Sequence, residues 1–330
     1  MRKFRIASLC VISTWLPAAE NISTWQIRAV PDLRPLSKIL FVDERVGWMQ
    51  GGTNSILKTV DGGVTWVVLK TNLSDPRTGI GSIWFRDEKR GWAVGMVRQE
   101  PTIWETSDGG YSWTVRYSEP RAFDGSTGAM LDIRFVNEMY GWAVGYNGLK
   151  AAIKVTFDGG KHWITQYSGS EITGQFNLVR FWDPMHGWVL GPDAVMTTSD
   201  GGESWELQYF DGGSQLHDLD LVGPSEAWIA GGWGHLIHIQ DRRNSEVPLT
   251  GSIGDGFLGW VRFTTKETGW AWGVNGEIVK TLDGGKTWMS EASPLKVEPN
   301  SEISTGDGAK NSSNLFITVT PGKLLVRSIK

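Results

Sequence analysis

The phrase Asp-Gly-Gly, two residues, then Trp recurs five times along the chain. It pairs Asp61 with Trp66, Asp108 with Trp113, Asp158 with Trp163, Asp200 with Trp205, and Asp283 with Trp288. A Gly-Trp pair precedes each copy, at Gly47-Trp48, Gly91-Trp92, Gly141-Trp142, Gly187-Trp188 and Gly269-Trp270. Self-similarity at a period of roughly 40–50 residues marks a repeat architecture, in which each unit leaves an apolar face for its neighbour to cover. That signal overrides the two domains that a length of 330 residues would otherwise suggest.

The sixth copy shows the unit most clearly. Trp260-Val261-Arg262-Phe263 reads as a short strand and 265–268 as a polar turn. Gly269-Trp270-Ala271-Trp272-Gly273 is a second strand, and Asn275-Gly276 is a two-residue hairpin signal. Glu277-Ile278-Val279-Lys280-Thr281 is a third strand, and Trp288 opens a fourth after the Asp-Gly-Gly turn. Four short antiparallel strands per period describe a propeller blade. The same unit starts near Phe41, Phe85, Phe135, Phe181 and Leu221. In the fifth copy Trp228 keeps its place, but Gln240-Asp241-Arg242-Arg243 replaces the Asp turn. A seventh blade assembles from the two ends. Phe316 stands for Trp270 and Gly322 for Gly276, while Trp25 stands for Trp288. The expected fold is therefore an all-β, seven-bladed propeller of four-stranded antiparallel blades. An N-terminal strand completes the C-terminal blade, which removes the exposed edges of an open array. The single domain is placed at 20–330. Its blades fall at about 36–70, 80–117, 129–168, 175–210, 215–249, 255–291, and 292–330 plus 21–30.

The turn residues have structural reasons. The Asp carboxylate accepts backbone N–H groups further along the turn, and the glycines take positive φ without steric cost. The Trp returns into the sheet, where burying about 150–250 Å² of aromatic surface contributes several kcal/mol before entropy is counted. Eleven of the nineteen tryptophans fall in these repeat phrases or the worn fifth copy, which marks them as packing groups. Asp61, Asp108, Asp158, Asp200 and Asp283 are thus assigned to structure, not catalysis.

The totals narrow the function. A net charge of −4 argues against a nucleic-acid binder, because phosphate neutralisation needs a basic face. Residues 1–19 read as an export signal: Arg2, Lys3 and Arg5 precede an apolar run, and Pro17-Ala18-Ala19 offers small residues for cleavage. That run is too short to span a membrane. Leu9, where a small residue is usual, argues against a lipid anchor at Cys10, the only cysteine. The reading is an exported monomer of periplasm, thylakoid lumen or exterior, with no cofactor and no metal.

The boxes resemble the Asp-box, or bacterial neuraminidase, repeat. The fuller pattern is Ile-x-Phe, a polar turn, Gly-Trp-Ala-Val-Gly, then Thr-x-Asp-Gly-Gly-x-Thr-Trp. It is similar to the photosystem II stability and assembly factor family, best over 131–163 and 261–288. The resemblance implies a seven-bladed, non-enzymatic propeller that works in photosynthesis. It would help assemble the photosystem II reaction centre and carry an arginine patch. The implied partner is a protein, with a membrane protein or a peptide C-terminus as candidates.

Function has to be read where the repeat is broken. The position before the Phe or Leu of each first strand holds Leu40, Trp84, Arg134, Arg180, Asp220 and Arg262. Equivalent positions lie at one height around a propeller axis, so three arginines and an aspartate would share a ring. Guanidinium groups suit carboxylates by bidentate bonding. The partner-binding candidates are Arg134, Arg180, Arg262, Asp220 and Trp84. The competing structural reading makes Asp220 the neutraliser of Arg180 and Arg262.

An enzyme alternative uses the same residues. A sialidase-like glycoside hydrolase, or a glycan-binding propeller, could hold a substrate carboxylate with the three arginines. Asp132 or Asp218 would be the acid, and a two-carboxylate site would set them about 5–9.5 Å apart. Against a sialidase, Arg28-Ala29-Val30-Pro31 only approaches the Arg-Ile-Pro signature, and no Tyr follows Tyr209. Smaller signals fail. His235 and His238 point to opposite faces of a strand, and Gly285-Lys286-Thr287 lies in an Asp box, not a phosphate loop. Asn21-Ile22-Ser23 and Asn72-Leu73-Ser74 fit a glycosylation pattern that is common by chance. Longer loops at 71–79, 97–101 and 118–128 in blades one to three offer a second place for binding.

Overall fold

The computed structural model describes residues 25–31, 36–52, 54–73, 75–122, 125–169, 174–210, 215–241, 243–246, 258–273, 276–292, 303–307, 314–319 and 322–328. The export-signal reading, Cys10, the Asn21 pattern, Ser23, Thr24, Ser74, Arg242 and Asn275 lie outside the described residues.

Seven four-stranded antiparallel sheets make up the molecule. In blades 1 to 6 the strands follow in sequence order. Blade 1, for example, comprises Leu36–Phe41, Gly47–Gly51, Ser55–Thr59 and Val67–Val68. First strands contact the first strands of neighbouring blades, including Leu36–Phe41 against Ile303–Asp307 of blade 7. They form the inner wall of a closed ring. Blade 7 is completed as the sequence predicts. Its order is Ile303–Asp307, Asn314–Val319, Lys323–Ser328, then Gln26–Ala29, with Gln26 opposite Val326 and Ala29 opposite Lys323.

The closure is stitched by side chains. Glu291 on the last strand of blade 6 accepts the indole N–H groups of Trp270 at 3.0 Å and Trp25 at 3.3 Å, and pairs with Arg327. Arg28 reaches the carbonyl of Gly62 in blade 1 at 3.0 Å. The segment 25–29 is thereby tied to three blades.

One aromatic device repeats between blades. In three of the Gly-Trp pairs the Trp lies over the first-strand Phe of the next blade. Ring centroids are 3.8 Å apart for Trp48 and Phe85, 4.2 Å for Trp92 and Phe135, and 3.5 Å for Trp142 and Phe181. Phe316, the substitute in blade 7, stacks on Phe41 at 4.3 Å. The same Phe meets the Asp-box Trp of its own blade edge-on, as Phe85 meets Trp113 at 5.9 Å. Phe85, Phe135 and Phe181 are each held between two indoles, a geometry that adds about 0.5–1.5 kcal/mol per pair beyond burial. Glycine makes room for it: a Cβ on Gly91 would come within 2.4 Å of the Phe85 ring.

The Asp boxes work as their composition predicts. The Asp283 carboxylate accepts the Thr287 amide at 2.9 Å and the Thr287 hydroxyl at 2.6 Å. The Thr281 hydroxyl donates to Asp283 at 2.9 Å and accepts the Gly285 amide at 2.8 Å. Gly285 sits at φ +84°, and a Cβ there would also lie 2.1 Å from Trp228 of the preceding blade. Hydrogen bonds from the Thr287 hydroxyl and amide hold the Asp283 pKa down to about 2. All five boxes share this value.

Candidate binding site in the central channel

The first strands alternate. Ile39, Ile83, Ile133, Val179, Leu219 and Val261 precede the Phe or Leu by two and are buried in the core. The residues between them form the polar layers. Each member of the predicted column pairs with the Trp of its own Gly-Trp: Leu40 with Trp48, Trp84 with Trp92, Arg134 with Trp142, Arg180 with Trp188, Asp220 with Trp228 and Arg262 with Trp270. The alignment that placed these six at one height therefore coincides with the strand register.

Of these, Arg134, Arg180 and Arg262 open onto a cavity of about 340 Å³, also lined by Lys38, Ser82, Asp132 and Asp218. Asp132 is its hub and is 1 % exposed. One carboxylate oxygen accepts Lys38 Nζ at 3.0 Å and the Ser82 hydroxyl at 2.9 Å. The other accepts Arg180 Nη1 at 2.7 Å and the Val179 amide at 3.2 Å. Burial pushes the Asp132 carboxyl up, but Lys38, Arg134 and Arg180 together hold it far below the usual carboxylate range. Arg180 continues to Asp218, with Nη2 at 3.5 Å from Oδ1. Arg262 lies 3.7 Å from the other Asp218 oxygen and donates to Asp220 at 3.1 Å. Burial raises the Asp218 carboxyl against the pull of Arg262 and Arg180.

Among the residues whose side chains are described, the layer sets four cations, Lys38, Arg134, Arg180 and Arg262, beside three carboxylates, Asp132, Asp218 and Asp220. Among them the Lys38 ammonium is disfavoured. Burial first, then the Arg134 charge, lowers its pKa to about 8, although Asp132 pulls the other way.

The structure brings together Arg134, Arg180, Arg262 and Asp220, and adds Lys38, which the column analysis passed over. Lys38 stands two residues before Leu40, at the same register as Ser82, Asp132 and Asp218. A second polar column was thus readable there. Arg262 pairs with Asp220, as the structural reading expected, whereas Arg180 turns to Asp132 and Asp218. Trp84 packs on Phe135 at 5.0 Å within the aromatic layer. Asp132 and Asp218 do not face one another across a water-sized gap, because the Arg180 guanidinium touches both. Two carboxylates bridged by a cation make a clamp, a geometry unlike the acid–base pair of a glycoside hydrolase. His238 stacks on Trp228 at 4.4 Å and pairs with Glu226 at 3.0 Å, which gives it a packing role.

Comparison with known proteins agrees with the repeat pattern. A family model described as photosynthesis system II assembly factor YCF48 matches residues 166–252. The photosystem II assembly lipoprotein Ycf48 of Synechococcus sp. (strain CC9902) is 27% identical over 157 residues, 44% of this chain and 46% of that protein. The chain thus spans about half the length of the curated relative it matches. Among solved structures, a YCF48 bound to a D1 peptide superposes with a TM-score of 0.74 at 20% identity, covering 94% of this chain and 97% of that one. YCF48 from Cyanidioschyzon merolae gives 0.73 at 19%, covering 93% and 99%. A GH74 xyloglucanase from Xanthomonas campestris gives 0.68 at 13%, covering 93% of this chain and 54% of that one. These structural likenesses establish the propeller. The resemblance to the photosystem II assembly factor family, read from the Asp boxes and Gly-Trp strands, is borne out by the family model and the curated relative.

Proposed function

We propose that this propeller is an exported, non-enzymatic protein-binding factor for photosystem II assembly, and that it takes a carboxylate of its partner at the central channel. The observation that carries the site is Lys38. A buried ammonium pushed down to about 8 by burial and two arginines is a group the folded chain holds against its own stability. A carboxylate arriving beside Lys38 would offset the two arginines that disfavour its charge, whether from an acidic side chain or a peptide C-terminus. The likeness to a curated photosystem II assembly lipoprotein and to a propeller solved with a D1 peptide supports a protein partner of this kind. The export reading rests on the basic and apolar start of the chain together with that lipoprotein relative. Among the described residues no helix is long and apolar enough to cross a membrane.

The test is crosslinking with mass spectrometry in the native host, comparing wild type with Arg134→Gln and Lys38→Met. Capture of a photosystem II subunit by wild type, weakened in both variants, is the expected result. Capture of no photosystem II protein would overturn the assembly reading. Equal capture by all three proteins would overturn the channel site alone.

A further inference from the structure

The three long loops of blades 1 to 3 converge. In blades 1 and 2 the connection to the next blade and the hairpin between second and third strands leave the sheet on one face. The Asp boxes leave on the other. The loops at 71–79, 97–101 and 118–128 are all of the first kind. Together they wall an open basin of about 620 Å³, with Arg77, Arg98 and Arg121 on its rim and Met96 in its floor.

The basin is braced. The Arg98 amide donates to the Arg77 carbonyl at 2.9 Å, and the Gly128 amide to the Gln99 carbonyl at 2.9 Å. The third loop is pinned from beneath, where Glu119 accepts the buried Lys154 ammonium at 2.5 Å and the Tyr117 hydroxyl at 2.7 Å. Its charges are unevenly committed. Asp75 binds Arg77 through two hydrogen bonds, at 3.1 and 2.9 Å. Among the described residues neither Arg98 nor Arg121 has an ion pair, and the Arg121 guanidinium meets only the Gln99 side chain, at 3.5 Å. Among the described residues, Glu100 is the one acidic side chain lining the basin. The turn that presents Arg98 is itself held in an unfavourable conformation. Arg98 at φ 52° and Gln99 at φ 70° occupy both central positions of a two-residue hairpin that favours Asn-Gly. Such strain recurs where a side chain is held out for a ligand.

We propose that this basin is a second docking site, for an acidic segment of a protein partner whose carboxylates meet Arg98 and Arg121 and whose apolar side chain rests on Met96. It lies on different elements from the channel cations, and its test is independent of the channel reading.

The test titrates fluorescein-labelled octaglutamate against the full chain and follows anisotropy. Arg98→Gln and Arg121→Gln should each weaken binding about fivefold, the worth of one exposed charge pair. Affinity should fall as salt rises. Gln99→Gly keeps both guanidinium groups and eases the turn, so it should bind like wild type. The double variant Arg98→Asn with Gln99→Gly should melt no lower than wild type and still lose the fivefold, which separates docking from folding. Binding unchanged in both Gln variants would overturn the proposal. So would loss on Arg134→Gln in the channel without loss on Arg98→Gln, or no measurable binding to wild type.

Discussion

Lys38→Met should stabilise the protein at neutral pH. The ammonium is moved from its ordinary 10.5 to about 8. At about 1.36 kcal/mol per pKa unit, the charged form is disfavoured in the folded state by about 3 kcal/mol relative to the unfolded chain. The shift already includes the attraction of Asp132, so nothing further is subtracted for the lost salt bridge. Asp132 keeps Arg180 at 2.7 Å, Ser82 at 2.9 Å and the Val179 amide at 3.2 Å. Methionine fills the same stem volume without a charge. The sign with pH follows from proton counts. Between pH 8 and 10.5 the folded protein has released the Lys38 proton and the unfolded chain still holds it, so wild-type stability gains from this group as pH rises. Lys38→Met has no such group. Urea denaturation should therefore give a variant more stable by up to about 3 kcal/mol at pH 7. The advantage should shrink steadily up to pH 10.5. A variant less stable than wild type at pH 7, or one that keeps the same slope above pH 8, would refute the argument. The same reasoning predicts proton uptake when a carboxylate ligand enters the channel at pH 8–9, measurable by calorimetry in buffers of different ionisation enthalpy.

Two further perturbations test the packing. The Asp283 carboxyl, held at about 2 by the Thr287 hydroxyl and amide, contributes stability that is present above 3.8 and lost as pH falls through about 2. Thermal melts of Asp283→Asn should be lower than wild type at pH 7 and should converge on it near pH 2. A constant gap would show that the box acts through shape and not charge. Phe85→Leu installs the residue that blade 5 carries as Leu221, and should cost about 1–2 kcal/mol, against about 3–5 for Phe85→Ala. Equal losses by urea denaturation would mean that stacking on Trp48, not filled volume, holds blades 1 and 2 together.

Much of the fold was legible because each turn is self-contained. Thr281, Asp283, Gly285 and Thr287 bond to one another within seven residues, so the motif announces its structure wherever it occurs. Ring closure was legible for a related reason: Trp25 and Phe316 stand at fixed offsets in a known unit. Contacts between units were harder. The column gave the height of Arg134, Arg180 and Arg262 but not their partners. Lys38 and Asp132 are 94 residues apart and Arg180 and Asp132 are 48 apart, and periodicity carries no information about which carboxylate a long side chain will reach. The convergence of three loops on Arg98 and Arg121 was equally hidden, since it depends on which face each connection leaves.

The division of labour inside one strand explains why function hides at those places. In Leu131-Asp132-Ile133-Arg134-Phe135, Ile133 and Phe135 enter the interface that every blade must make, and their counterparts in blades 1 to 6 are aliphatic or aromatic throughout. Asp132 and Arg134 alternate with them. Their counterparts range from Lys38 and Leu40 to Trp260 and Arg262, because the propeller does not depend on what stands there. A polar residue at such a position has to bring its own partner or leave a charge in low dielectric, and Asp132 does so with four donors. Among the described residues Lys38 has one carboxylate, which it shares with Arg180. A repeat protein can carry such an incomplete network where the surrounding ring is stable enough to hold it. On the proposed reading, an anion from outside would complete it.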